Sequence, residues 1–334
     1  MKHTTIALSI IFALLSGFAS CNKEKNDTPS QRDYTAVVVP RFSADSAFAY
    51  VKKQVDFGPR TPESKAHAQC ARFLEEFFTH FSDTVYVQRF PAQLYDGRKV
   101  NGVNIIASFL PNAEKRILLA AHWDSRLWAD HDPEPAFHKT PIDGANDGAS
   151  GVGVLMELAR LMSQTPPPVG VDIILFDLED QGQPEWDTSH KINYEQTDWC
   201  IGAQYWSTHK HIPFYQPMYG ILLDMVGYKE PFFAKEEQSM FYASGTMNKI
   251  WTIANQLGYG NIFKDIRTPA IMDDHVFVNR NAKIPMIDIV QHSPNGTFFP
   301  HWHTQQDNID QISPATLEIV GKVVLTAIYS ERKE

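Results

Sequence analysis

Arg116-Ile117-Leu118-Leu119-Ala120-Ala121-His122-Trp123-Asp124-Ser125-Arg126 sets the architecture to be expected of this 334-residue chain. After the arginine, apolar residues follow one another without polar alternation, as in a strand covered on both faces. The run then breaks into His122, Trp123 and Asp124. Residues 171–176 lead in the same way into Asp177-Leu178-Glu179-Asp180, and 219–223 into Asp224. A fourth run, 284–290, precedes a Gly- and Pro-containing loop with His303, and shorter β-rich runs occupy 84–87 and 103–107.

Helical spacing separates these runs. Residues 45–55 place Phe48, Val51 and Val55 on one face, and Thr61-Pro62 reads as the cap and first turn of a helix through Cys70, Phe73, Leu74 and Phe77. Further helical patterns cover 149–161, 246–257 and Ser313-Pro314 to about Ser330. The fold class expected is α/β, a single domain with a central mixed, mostly parallel twisted sheet covered by helices on both faces. In open sheets of this kind ligands bind beyond the carboxyl ends of the strands, so the polar residues after each run are expected to converge.

Three of those positions carry candidate chemistry. Asp147 lies in the glycine-rich turn Gly144-Ala145-Asn146-Asp147-Gly148-Ala149-Ser150-Gly151, where a carboxylate can cap a helix or bind a metal. Glu179-Asp180 ends an apolar strand; two adjacent carboxylates there need a cation or a proton unless the loop is solvated. His303, in Pro300-His301-Trp302-His303-Thr304, offers a nitrogen donor. Taken together, Asp147, Asp180 and His303 would be three ligands with a fourth position open, the arrangement of a catalytic zinc, and Glu179 beside them would then serve in proton transfer; the residues alone leave a helix cap, a solvated loop and a non-ligand histidine open.

Composition narrows the rest. Hydrophobic residues make up 43% of the chain and aromatic residues 12%, enough for one large core, and the formal charge is −9 without a basic run, which excludes nucleic acid as an expected partner. Residues 1–20 read as an export signal: a basic start, an apolar run and the small-residue stretch Ser16-Gly17-Phe18-Ala19-Ser20 before Cys21. Cys21 reads as the acylated start of a lipoprotein; the alternative is ordinary cleavage with Cys21 removed or left free. Residues 21–38 read as a flexible tether and 39–334 as the catalytic domain, exported to the periplasm and held at a membrane only through the lipid. Cys70 and Cys200 match no redox or zinc spacing and read as structural.

From Phe57-Gly58-Pro59-Arg60 to the last helix, the chain resembles the zinc aminopeptidase-like family, and within it the animal-type glutaminyl cyclases and their bacterial relatives. The resemblance rests on Ala121-His122-Trp123-Asp124-Ser125-Arg126, residues 144–152, Phe176-Asp177-Leu178-Glu179-Asp180, Leu223-Asp224-Met225-Val226-Gly227, Asp273-Asp274-His275 and Trp302-His303-Thr304. It implies one zinc per chain on Asp147, Asp180 and His303, with Glu179 as the proton-transfer residue. It implies Asp224 and Asp273 beside the substrate amine, Trp302 along the glutamine pocket and Trp186 at its mouth. The implied reaction closes the N-terminal glutamine of a peptide or protein into pyroglutamate with release of ammonia, catalysed by a monomer. The chain departs from the animal pattern at Asp180, where Glu stands, and at Asp288, where His stands. The two-zinc aminopeptidases of the same family resemble it as well, through His122, Asp147, Glu179-Asp180, Asp224 and His303, and a non-catalytic binding protein on this fold is a third reading.

Overall fold

The computed structural model describes residues 32–187 and 198–332. The expected export signal, Cys21 and the tether as far as residue 31 lie outside the described residues. Within the remainder of the expected tether, the Tyr34 N–H donates to Gln256 Oε1 at 2.7 Å. No helix among the described residues is long and apolar enough to cross a membrane.

Along the chain come α1 (Ala44–Val55), α2 (Lys65–Phe81), β1 (Thr84–Gln93), β2 (Lys99–Phe109), β3 (Arg116–His122), α3 (Ala149–Gln164) and β4 (Gly170–Phe176). There follow α4 (Ile201–Thr208), β5 (Tyr219–Asp224), β6 (Phe233–Glu236), α5 (Glu237–Gln256), β7 (Phe263–Thr268), α6 (Asp274–Phe277), β8 (Met286–Val290) and α7 (Pro314–Tyr329). Six strands form one sheet in the order β1-β2-β4-β3-β5-β8. β3 pairs parallel with β4 and β5, and β5 with β8, whereas β1–β2 and β2–β4 are antiparallel.

The unbroken apolar runs have a direct cause. Ile117, Leu119 and Ala121 of β3 pack with Val171, Ile173 and Leu175 of β4 in a core that includes Val51 of α1, Val154 of α3 and Val324 of α7. Leu118, Ala120, Ile174 and Phe176 face the other way, onto Trp206 of α4 and Phe277 of α6. Both faces are dry, and each Leu or Ile moved out of water there contributes about 1.5–3 kcal/mol. Asp172 interrupts the β4 run because Arg116 meets it twice, Nη2 to Oδ1 and Nε to Oδ2 each at 2.7 Å, and the Tyr215 hydroxyl donates to Oδ2 at 2.8 Å.

Local signals were met in part. Ser313 caps α7 with Pro314 in its first turn, as read from the sequence. Thr61-Pro62 does not start α2: Ser64 is the cap, its Oγ accepting from the His67 N–H at 3.0 Å, and Glu63 before it takes φ 63°. A left-handed residue closes a turn, so the helix can begin only after it. The pattern at 246–257 is the second part of α5, whose Ala243 has non-helical φ and ψ and breaks the periodicity of the first.

Candidate active site

Parallel register brings the carboxyl ends of the central strands level. His122 on β3 stands opposite Phe176 on β4, and Ala120 opposite Leu222 on β5, so Asp224 comes beside His122. His122 Nε2 lies 3.2 Å from Asp224 Oδ1 and 3.0 Å from Asp147 Oδ1 in the turn that opens α3. That turn closes on β3 because Gly148 has φ 85° and no side chain; a Cβ there would lie 2.6 Å from His122 Cε1. Asp147 is not a helix cap: Gly148 is the N-cap, without a side-chain bond. Asp307 steadies the turn from outside, accepting the N–H groups of Asn146 at 2.8 Å and Asp147 at 3.1 Å.

Past β4 the backbone turns sharply at Leu178, φ 59°. Asp124 clamps the turn by accepting the N–H groups of Glu179 at 3.1 Å and Asp180 at 3.2 Å and the Gln181 side-chain amide at 2.9 Å. Cys200, Met225 and His303 also take positive φ. Left-handed non-glycine residues cost of the order of 1–3 kcal/mol each and persist where packing over-determines them. Here Glu179, Met225 and His303 line one cavity of about 380 Å³.

His303 Nε2 is 3.0 Å from Asp180 Oδ1 and 3.7 Å from Asp147 Oδ2, while its Nδ1 is 3.3 Å from Asp130 Oδ1. Arg126 holds Asp130 through Nε at 2.7 Å and Nη2 at 2.6 Å. The Trp302 ring stacks on His303 with centroids 3.7 Å apart, and Trp199 lies parallel to the same ring, 4° off, at 5.9 Å. The cavity is thus lined by Asp147, Glu179, Asp180, Asp224, Asp273, Trp302 and His303, brought together from seven positions singled out in the sequence. Trp186 is not in that lining; it is 39% exposed, with Lys139 Nζ 4.8 Å from its ring centre.

Sequence reasoning missed several participants. Trp199, Met225 and Phe298 also line the cavity. Cys200, read as structural, donates its thiol to Glu179 Oε1 at 3.1 Å. Asp124 and Arg126 stood in a quoted motif without a role, and nothing local marks Asp130. Asp288, the departure from the animal pattern, is wholly buried and shares a cluster with Asp273 and His275 whose polar atoms lie within 4.8 Å of one another.

Burial concentrates charge here. It pushes Glu179 well above the ordinary carboxylate range, with His122 opposing and Asp273 and Asp180 reinforcing. Burial and the neighbouring Asp147 push Asp180 up to about 6, and burial with Asp147 carries Asp224 to about 7 against the hydrogen bond from His122. Burial disfavours the charged form of His122, but its bonds to Asp124, Asp147 and Asp224 outweigh it and raise its pKa well above the usual value. Five acids around one cavity ask for a cation.

The residues fit one. Asp147, Asp180 and His303 each offer a donor atom within 4.8 Å of the others, all buried, and Asp147 Oδ2 and Asp180 Oδ2 have no hydrogen-bond partner. Two carboxylates and an imidazole are the donor set of a three-ligand zinc site with a free fourth position. Asp130 on His303 Nδ1 is the carboxylate partner that fixes such a ligand's ring. His122, Asp147 and Asp224 form a second buried group of the same kind.

Known proteins share this architecture. The chain is 47% identical to Bacteroides thetaiotaomicron glutaminyl cyclase, solved bound to N-acetylhistamine, over 88% of this chain and 100% of that one, with a TM-score of 0.86. A Zn-dependent exopeptidase from Parabacteroides distasonis is also 47% identical over 88% of this chain and 100% of its own, with a TM-score of 0.85. The glutaminyl-peptide cyclotransferase of Bothrops jararaca is 25% identical over 249 residues, which are 66% of this chain and 63% of that protein. The profile of peptidase family M28 matches residues 104–328, from β2 to α7, and takes in every residue that lines the cavity. With that match across more than half its length, the chain belongs to peptidase family M28.

Proposed function

We propose that the protein is a zinc-dependent glutaminyl-peptide cyclotransferase, which turns the N-terminal glutamine of a peptide or protein into pyroglutamate and releases ammonia. The observation that carries this reading is the joining of two things in one cavity. An Asp147–Asp180–His303 donor set lies beside Glu179 under aromatic walls, in a chain 47% identical over 88% of its length to a solved glutaminyl cyclase. One zinc per chain on those three residues fits the reading.

When bound, the zinc supplies Lewis acidity toward the γ-amide carbonyl. Glu179 takes a proton from the substrate α-amine as its nitrogen bonds to the side-chain carbonyl carbon, and returns a proton to the amide nitrogen as the bond between that carbon and the amide nitrogen breaks and ammonia leaves. Asp224 and Asp273, on the same cavity wall, hold the amine by hydrogen bonds and charge. Trp302, Trp199 and Phe298 keep the glutamine side chain folded and exclude water. Nucleophile and electrophile belong to one residue, so orientation alone supplies a large effective molarity. Trp186, exposed beside Lys139, is free to meet the substrate outside this cavity in this reading.

A second reading, hydrolysis of N-terminal residues with two zinc ions, is favoured by the His122–Asp147–Asp224 group and by the exopeptidase relative. Ammonia release from a Gln-initiated dipeptide, run beside amino-acid release from a Leu-initiated one, separates the two. Cyclisation without hydrolysis is the expected result; the reverse overturns the assignment. The apolar run before Cys21 supports export to the periplasm with the catalytic domain on a lipid anchor, acting as a monomer on peptide substrates.

A further inference from the structure

Glu179 is the group on which proton transfer depends, yet its side chain accepts one hydrogen bond among the described residues, the Cys200 thiol at 3.1 Å from Oε1. Cys200 is fully buried at the entrance to α4, and its φ of 57° is left-handed. Three successive N–H groups fasten this segment to the Glu179 turn: Cys200 to the Glu179 carbonyl at 2.8 Å, Ile201 to Leu178 at 3.0 Å and Gly202 to Asp177 at 3.0 Å. The approach leaves no slack, since a Cβ on Gly202 would lie 2.3 Å from the Asp177 carbonyl oxygen. The ladder carries the cysteine side chain to the carboxylate, and the thiol, the carboxylate and Asp273 lie within 4.8 Å of one another.

We infer that Cys200 is a positioning residue for proton transfer: its thiol holds one oxygen of Glu179, fixing the carboxylate's rotamer and leaving the other oxygen for the substrate. The thiol has one S–H to donate, so it engages a single carboxylate oxygen. An ordinary buried cysteine would fill the same volume as a small hydrophobe, and its contact with Glu179 would be incidental. This inference rests on the role proposed for Glu179.

The test compares Cys200→Ala and Cys200→Ser with the parent enzyme, and repeats Cys200→Ala in a Glu179→Gln background. Loss of the donor is expected to lower kcat about three- to tenfold with KM little changed, the scale of one neutral hydrogen bond. Serine restores most of the rate by supplying a hydroxyl donor, and Cys200→Ala causes no further loss once Glu179 is Gln, because coupled residues are not additive. Zinc content equal to the parent's excludes an effect through the ligands. Parental kcat in Cys200→Ala, a serine variant no better than alanine, or an equal fold-loss in both backgrounds overturns the inference. The parent's own product, ammonia or a free amino acid, tests the cyclase reading separately. The comparison runs on whichever reaction it catalyses, and a parent inactive in both removes the basis of the inference.

Discussion

Trp302→Ala separates a pocket wall from a packing residue. The substitution removes an indole whose ring centre lies 3.7 Å from that of His303, 4.6 Å from Phe298 and 4.4 Å from His131. At about 0.5–1.5 kcal/mol per aromatic pair, three contacts give a range of about 1.5–4.5 kcal/mol. Trp302 is only half-buried, which favours the lower part of that range, about 2 kcal/mol. For a domain of about 300 residues, at about 2.1 cal/mol/K of unfolding entropy per residue, that is a fall in Tm of roughly 3 °C. The effect on rate has a different origin. Without the wall the glutamine side chain leaves the folded rotamer that keeps its amine near the side-chain carbonyl carbon, and misplacement of about 1 Å is enough for a loss on the order of 10²-fold in kcat/KM. Ammonia release, zinc content and Tm are measured on the same folded preparation. Parental kcat/KM with a Tm lowered as above refutes the reasoning and leaves Trp302 as packing for the His303 loop. A loss of rate that added zinc reverses assigns the residue to holding the ligand instead.

The other expectations concern division of labour around the metal. Glu179→Gln is expected to lower kcat by about 10²–10⁴ with zinc retained, and His303→Ala to lose zinc; near-parental turnover in Glu179→Gln disproves the proton-transfer role. Asp130→Asn weakens the support of His303 Nδ1, so zinc affinity measured by chelator competition falls about 10- to 100-fold, and an unchanged affinity shows that Arg126 and the ring stacks alone hold the imidazole. Metal analysis of protein purified without added zinc is expected to give one equivalent per chain; two equivalents, both required for activity, favour the aminopeptidase reading.

The central strands and the polar residues at their ends were legible from residue order. Runs such as Ile117-Leu118-Leu119-Ala120-Ala121 are legible because burial on both faces removes any reason for polar alternation. A parallel sheet then places His122, Glu179-Asp180 and Asp224 at one edge whatever the order of its strands. Ser313-Pro314 was legible because capping is a local interaction. Tertiary structure alone decided what depends on distant partners. Thr61-Pro62 carried a cap signal, but the turn through Glu63 moved the start of α2 to Lys65. Trp186 and Trp199 had equal claim by residue type. The backbone ladder at Cys200 puts Trp199 beside His303, whereas Trp186 is left against Lys139. Cys200 looked inert because its spacing fits no motif, and its contact is with Glu179, 21 residues earlier. Asp307 and Asp147 are 160 apart, and no local pattern encodes a carboxylate that acts by accepting another loop's backbone N–H groups. Periodicity records which faces are dry, but only the folded chain selects which polar groups meet where the strands end.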